Sequence, residues 1–416
     1  MGIAWGVFAS RLIDAFSVTG LRWRGRDGWT IAASLLVHQS GFKEEAMPNR
    51  REFLRNAAGA SAGMLFLGGG VDSVAEPSLQ TGPAPKRREV VVGKRRIKTV
   101  DVHAHVTVPE ATDLLKGTPI ERRAGNPPNN YDDKGIAAAR LQRMDEEGID
   151  IQALSINSFW YSADRDLASR LVNLQNEKLA AMCATHPDRF VAFASVALQF
   201  PELAAQQLEE GVKHWGLRGA AIGGTVQGDE ELSSPKFDPF WAKAEELQAL
   251  IFVHPQDSAN ATGVRARVQG SGGLGNVIGN PLETTIFLSH MIFEGTLDRF
   301  PNLKICAAHG GGYLPSYADR MDHGCTVFPE QCKKPIKKKP TEYLRQLYFD
   351  AIVFTPEALR HLIAVCGVSQ VGMGTDYPFP WTVTPVDEVF AARGLSDADR
   401  VAILGGNMCK LLKIPA

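Results

Sequence analysis

The sequence predicts an α/β chain whose main domain is a (β/α)8 barrel of the TIM type, and three observations carry that expectation. Eight short apolar runs alternate with helical patterns between Ile97 and Pro378, the order that builds a parallel sheet flanked by helices. Eight strand-helix units over about 280 residues match the usual size of such a barrel. The first run ends DVHAHV and continues TVPEATD, without the glycine-rich phosphate loop that opens a doubly wound nucleotide-binding sheet.

In order, the runs are IKTVDVHAHV (97–106), IDIQALSIN (149–157), FVAFASVAL (190–198), LRGAAIGG (217–224), LIFVHP (250–255), LKICAAHG (303–310), LYFDAIV (347–353) and QVGMGTDYP (370–378). Short apolar runs of this kind, closed by Gly, Pro, Asp or Asn, read as strands buried on both faces. Between them, AAARLQRMDEEG, ASRLVNLQNEKLAAMCATHP, ELAAQQLEEGVKHWG and FDPFWAKAEELQA repeat apolar residues three and four apart, which gathers those residues on one helix face. The basic run KKPIKKKP (333–340) reads as a solvated loop.

The segment before the barrel reads differently. Arg50 and Arg51 precede a small-residue apolar run and then Ser73-Val74-Ala75, the layout of a twin-arginine export signal over 47–75 with a small-residue cleavage site. Residues 1–46 have no place in such a signal, so translation is expected to start at Met47, with 1–46 an upstream extension. Residues 76–96 form a polar Pro/Gly linker, and 97–416 form the barrel domain. The expected location is periplasmic or exported, with no membrane span in the mature form, since the apolar run is too short to cross a bilayer.

A formal net charge of -1 gives no electrostatic reason to expect nucleic acid. Six cysteines with no CxxC pair exclude a disulfide scaffold. Only Cys325 and Cys332 lie close in sequence; an oxidising periplasm permits a bridge there, and two free thiols fit equally well.

Chemistry gathers at the strand ends. His103 and His105 are two residues apart in a strand and so share a face; packing accounts for such an isolated pair as readily as a metal does. His254, His309 and Asp376 close three later runs. Five polar groups at buried strand ends each carry a desolvation cost unless paired or bound, and the joint pattern favours a metal site. Among the other histidines, His186 reads as a helix cap and His290 as a packed helical residue. Trp160 and Tyr161 read as pocket or packing residues.

At DVHAHV, RLQRMDEEGIDIQAL, FVHPQD, ETTIFLSHMIFEGTLDRFPNLKICAAHGGGYLPSYADRMD and GTDYPFP, the sequence resembles the amidohydrolase superfamily, and within it the branch of 2-amino-3-carboxymuconate-6-semialdehyde decarboxylase. The resemblance implies that His103, His105, His254 and Asp376 ligate one divalent metal, zinc first and manganese as the alternative. It makes His309 the catalytic acid/base, with Asp376 also counted among the catalytic groups. The fourth run, LRGAAIGG, lacks the lysine that binuclear members carbamylate, which points to one metal. Arg320 matches an arginine donated across a homodimer interface to a substrate carboxylate. Phe379 and Trp381 follow the ligand aspartate and are expected to contact substrate.

Two departures bear on the substrate: the family's HPWD is here His254-Pro255-Gln256-Asp257, and the segment holding Arg122 and Arg123 does not align with the family's substrate-binding arginine. The expected function is metal-dependent nonoxidative decarboxylation of a small unsaturated or aromatic carboxylic acid. The alternatives are a hydrolase or hydratase of a lactone, amide or oxo acid, and an exported binding protein without turnover.

Overall fold

The computed structural model describes residues 86–121, 131–132, 135–136, 138–226, 230–256, 267–332, 336–379, 381 and 384–415. The export signal with Arg50 and Arg51, the 1–46 extension, the linker up to residue 85, and Arg122, Arg123 and Asp257 lie outside the described residues.

All eight predicted runs contain a strand: β1 (Val100–His105), β2 (Ile151–Ser155), β3 (Phe190–Ala192), β4 (Gly219–Ile222), β5 (Leu250–Val253), β6 (Lys304–Ala307), β7 (Tyr348–Asp350) and β8 (Val371–Gly372). Each ladder is parallel, β1 to β2 to β3 and β4 through to β8. Single bridges, Ala194 to Ala220 and Ala104 to Tyr377, join the two arcs into a closed barrel. The strands are shorter than the runs, and His254, His309 and Asp376 fall just past the C-terminal ends of β5, β6 and β8.

Helices follow the strands: α1 (Ala138–Glu147), α2 (Arg165–Thr185), α3 (Pro201–Lys213), α4 (Asp238–Glu246), α5 (Asn280–Phe293), α6 (Leu314–Val327), α7 (Pro356–Cys366) and α8 (Pro385–Ala391). Their starts are written locally. Asp164 accepts the Leu167 N–H at 2.9 Å ahead of α2, and Thr355 caps α7 on the Ala358 N–H at 3.2 Å. Such caps satisfy N–H groups that a helix leaves unpaired. Proline opens α3, α5, α6, α7 and α8, where its missing donor costs nothing.

Two apolar layers result. The outer one packs strands against helices through Trp160, Leu171, Phe240 and Trp241. The inner one fills the barrel with Val100, Val102, Phe193 and Phe252, the two phenyl rings stacked at 5.6 Å. The C-terminal residues Met408, Leu411 and Leu412 join this inner layer and close the barrel below the starts of the strands. Among the described residues no helix is long and apolar enough to cross a membrane.

Some side chains settle what the sequence left open. Cys325 and Cys332 form a disulfide. Trp160 is fully buried with its indole N–H on Val196 O at 2.9 Å, a packing role. His186 ends α2 as expected. His290 is half-buried on α5, its side chain 40% exposed and 3.8 Å from Glu231.

Candidate metal centre

His103 and His105 lie at the end of β1, both fully buried, with their Nε2 atoms 2.9 Å apart. His254 directly follows β5. Barrel closure sets the last strand against the first: Asp376 N donates to His103 O at 2.8 Å and His105 N to Tyr377 O at 2.6 Å. That contact carries Asp376 Oδ1 to 3.1 Å from His103 Nε2 and 2.9 Å from His105 Nε2. One donor atom from each of His103, His105, His254 and Asp376 lies within 4.8 Å of the others.

The far side of two rings fixes their orientation. His103 Nδ1 lies 2.6 Å from Asp350 Oδ2, and His105 Nδ1 lies 3.0 Å from Ser155 Oγ, whose hydroxyl donates to Ala104 O at 3.2 Å. Each Nδ1–H then donates outward, leaving the Nε2 lone pair facing the centre, the arrangement a metal-ligating histidine requires. Deeper still, buried Asp101 accepts the Thr375 hydroxyl at 2.6 Å, Gln152 Nε2 at 2.9 Å and the backbone N–H of His103 at 3.0 Å, tying β2 and the segment after β8 to the ligand strand.

Charge in the site calls for a cation. Burial disfavours charge on His103, yet Asp376 and Asp350 on either side raise it to about 10. Burial pushes His105 down to about 4 and, with the neighbouring imidazoles, takes His254 well below its ordinary value. Against the cost of burial, the neighbouring His103 keeps both Asp350 and Asp376 below the usual carboxylate range. A buried pair of carboxylates therefore holds one proton on His103 where no metal is bound, and a divalent ion takes over that balancing charge.

The residues fit such an ion. Asp376 Oδ1 is buried against the Nε2 atoms of His103 and His105, the atoms that an ion would gather, and buried His254 Nδ1 has no hydrogen-bond partner among the described residues, a costly state for a polar atom. Three imidazoles and one carboxylate suit a single divalent metal, and β4, reading GAAI, has no lysine to bridge a second.

His309 stands beside this group and is held differently. It follows β6 in a left-handed conformation, φ 55, an uncommon and strained state for a non-glycine residue. Asp350 holds it there, accepting the backbone N–H of His309 and of Gly310, each at 2.9 Å. The next turn demands glycine: a Cβ on Gly310 (φ +62) would sit 2.5 Å from Val353 Cγ1, and one on Gly312 (φ +66) 2.2 Å from Pro281 O. The His309 side chain is 15% exposed, with Nε2 3.6 Å from Asp376 Oδ2, too far for a hydrogen bond.

The remaining expected residues divide. Phe379 packs its ring 5.7 Å from that of His105, against the centre. Trp381 bonds a ligand: its indole N–H donates to Asp376 Oδ2 at 2.6 Å. Arg320 is exposed on α6, and the structure does not gather it with the histidine cluster. Sequence reasoning missed Asp350, Asp101 and Ser155; the available signal for the two aspartates was their place in the runs LYFDAIV and DVHAHV.

Donors carried on the C-terminal ends of barrel strands, where barrel enzymes place their chemistry, make this a metal-dependent barrel enzyme. The family model for amidohydrolases matches residues 100–414, and the chain belongs to that family. It is 32% identical over 276 residues to 2-amino-3-carboxymuconate-6-semialdehyde decarboxylase of Dictyostelium discoideum, covering 66% of this chain and 75% of the relative. It is 29% identical over 335 residues to gamma-resorcylate decarboxylase of Rhodococcus jostii, covering 76% and 98%. A solved dihydroxybenzoic acid decarboxylase from a Polaromonas species, with manganese and 2-nitroresorcinol bound, superposes with a TM-score of 0.64 at 26% identity, covering 76% of this chain and 97% of that one. The chain stands in the decarboxylase branch of the superfamily, among the carboxy-lyases.

Proposed function

We propose that this protein removes carbon dioxide, without oxidation, from a small aromatic or conjugated carboxylic acid, with His103, His105, His254 and Asp376 holding one divalent ion. Zinc is the first choice because three imidazoles and a carboxylate suit it; the manganese of the Polaromonas relative keeps that ion as the alternative. When bound, the ion supplies positive charge that holds an anionic substrate and stabilises the negative charge developing as the carboxylate leaves.

The observation that carries the reading is His309. It is an imidazole beside the ligands but not among them, its side chain 15% exposed and its Nε2 3.6 Å from Asp376 Oδ2, while its backbone is pinned by Asp350. A proton exchanged at Nε2 reaches the carbon that loses its carboxylate, the task for which a histidine suits near-neutral pH. Asp376 serves through the centre, its Oδ1 toward the ligand imidazoles. Phe379 lines the pocket beside His105.

We assign Arg320 to a substrate carboxylate in the neighbouring subunit of a homodimer. Its exposure on α6, near Tyr317 at 62% exposed, supports a face that a second copy covers. Export through the twin-arginine route is supported by Arg50-Arg51 with the following apolar run, and by the Cys325–Cys332 disulfide, which persists best in an oxidising compartment. The mature protein would then be periplasmic, its barrel domain starting near residue 97.

Carbon dioxide release decides the reaction. Metal-loaded protein supplied with hydroxybenzoates and muconate-like acids is expected to release it from at least one of them. Silence across that panel, with turnover of a lactone or amide, replaces this reading by hydrolysis at the same centre.

A further inference from the structure

Asp376 has two oxygens with different surroundings. Oδ1 faces the Nε2 atoms of His103 and His105 at 3.1 and 2.9 Å, whereas Oδ2 accepts the Trp381 indole N–H at 2.6 Å. His309 Nε2 stops 3.6 Å from that same Oδ2. The indole N–H thus takes up one acceptor site of that oxygen, and His309 stands beyond hydrogen-bond distance of it. A second aromatic ring leans on the first: Phe354 lies 5.3 Å from Trp381, with the planes at 49°. Phe354 is 45% exposed and held at φ 65, a strained conformation for a bulky residue, which clusters at functional sites. It stands just past the end of β7, on the face where the centre opens.

We propose that Trp381 is a positioning and specificity residue: its N–H reserves Asp376 Oδ1 for the metal and leaves His309 free, while its ring and that of Phe354 form the wall against which an aromatic acid lies. The proposal rests on the decarboxylase reading above for its substrate and narrows it to planar aromatic rings. An offset or edge contact between rings is worth about 0.5–1.5 kcal/mol beyond area burial, and an acyclic acid gains less from the wall. Removing a hydrogen bond that orients a ligand group costs metal affinity about 10–100-fold.

The test compares Trp381→Phe, which keeps a ring and loses the N–H, with Trp381→Leu and Phe354→Ala, which lose ring surface. Zinc affinity of each full-length protein is read by competition with a chromogenic chelator. Binding of salicylate and of sorbate, an acyclic dienoate, to the zinc-loaded proteins is read by calorimetry, and melting temperature checks folding. Trp381→Phe is expected to weaken zinc binding about tenfold with salicylate affinity nearly kept. Phe354→Ala should keep zinc affinity and lose salicylate about fivefold with little change for sorbate, and Trp381→Leu should show both defects. Wild-type zinc affinity in Trp381→Phe, or equal losses for salicylate and sorbate in Phe354→Ala, overturns the proposal. If these splits appear but no acid releases carbon dioxide, the wall and the ligand contact stand and the decarboxylase reading fails.

Discussion

The Asp350 carboxylate joins the metal ligand to the proposed acid/base: Oδ2 lies 2.6 Å from His103 Nδ1 and 2.9 Å from the backbone nitrogen of His309. One buried side chain on β7 thus sets the tautomer of a ligand and the position of the imidazole beside it. Asp350→Asn keeps the shape and loses the charge. Metal affinity is expected to fall about 10–100-fold, with kcat reduced even at saturating metal because the His309 turn loses its anionic acceptor. Chelator competition and metal-saturated kinetics measure the two effects separately.

Stripping the metal should remove activity and lower the melting temperature together. An ion present at about 100 times its Kd contributes roughly 2.7 kcal/mol to stability, and the buried carboxylate and imidazoles crowded together at this centre show why these residues gain from it. Dialysis against a chelator followed by zinc or manganese addition, with melting temperature and turnover read after each step, also decides which ion restores function.

Glu388 gives the stability a pH dependence. Burial pushes this carboxyl on α8 up to about 7, and its Oε1 has no partner among the described residues. The folded state binds this proton more tightly than the unfolded state, so the group's contribution is present below about 4.5 and is lost as pH rises through about 7. Glu388→Gln should therefore melt higher than the parent at pH 8, with the gap closing at pH 5. The gain is expected to be on the order of 1 kcal/mol after solvent screening of a partly accessible group.

The disulfide between Cys325 and Cys332 closes a short loop, with a sequence separation of 7, from the last turn of α6 to the segment that follows it. For a loop this small, the entropy removed from the unfolded chain amounts to about 2–3 kcal/mol. Replacing both cysteines with serine should lower stability by up to that amount, as should reduction of the parent. Denaturant titration with and without reductant checks it.

The strands and ligands were legible because each has a local signature. Alternation put His103 and His105 on one face, and His254, His309 and Asp376 punctuate apolar runs. Asp350 was not legible as a bridging acceptor. In LYFDAIV it is one polar letter, and its partners on β1 and after β6 become neighbours only when the barrel closes. The same holds for Asp101 and for Trp381, which sequence order assigned to substrate and which the fold turns onto Asp376.

His309 bears the central claim, and its replacement by asparagine tests it most directly. Metal content and kcat of the His309→Asn protein are to be measured on the same preparation with a substrate that releases carbon dioxide. Full metal occupancy with kcat reduced about 10²–10⁴-fold, the usual contribution of a positioned acid or base, is the expected result. Full occupancy with unchanged kcat contradicts the assignment of proton transfer to His309.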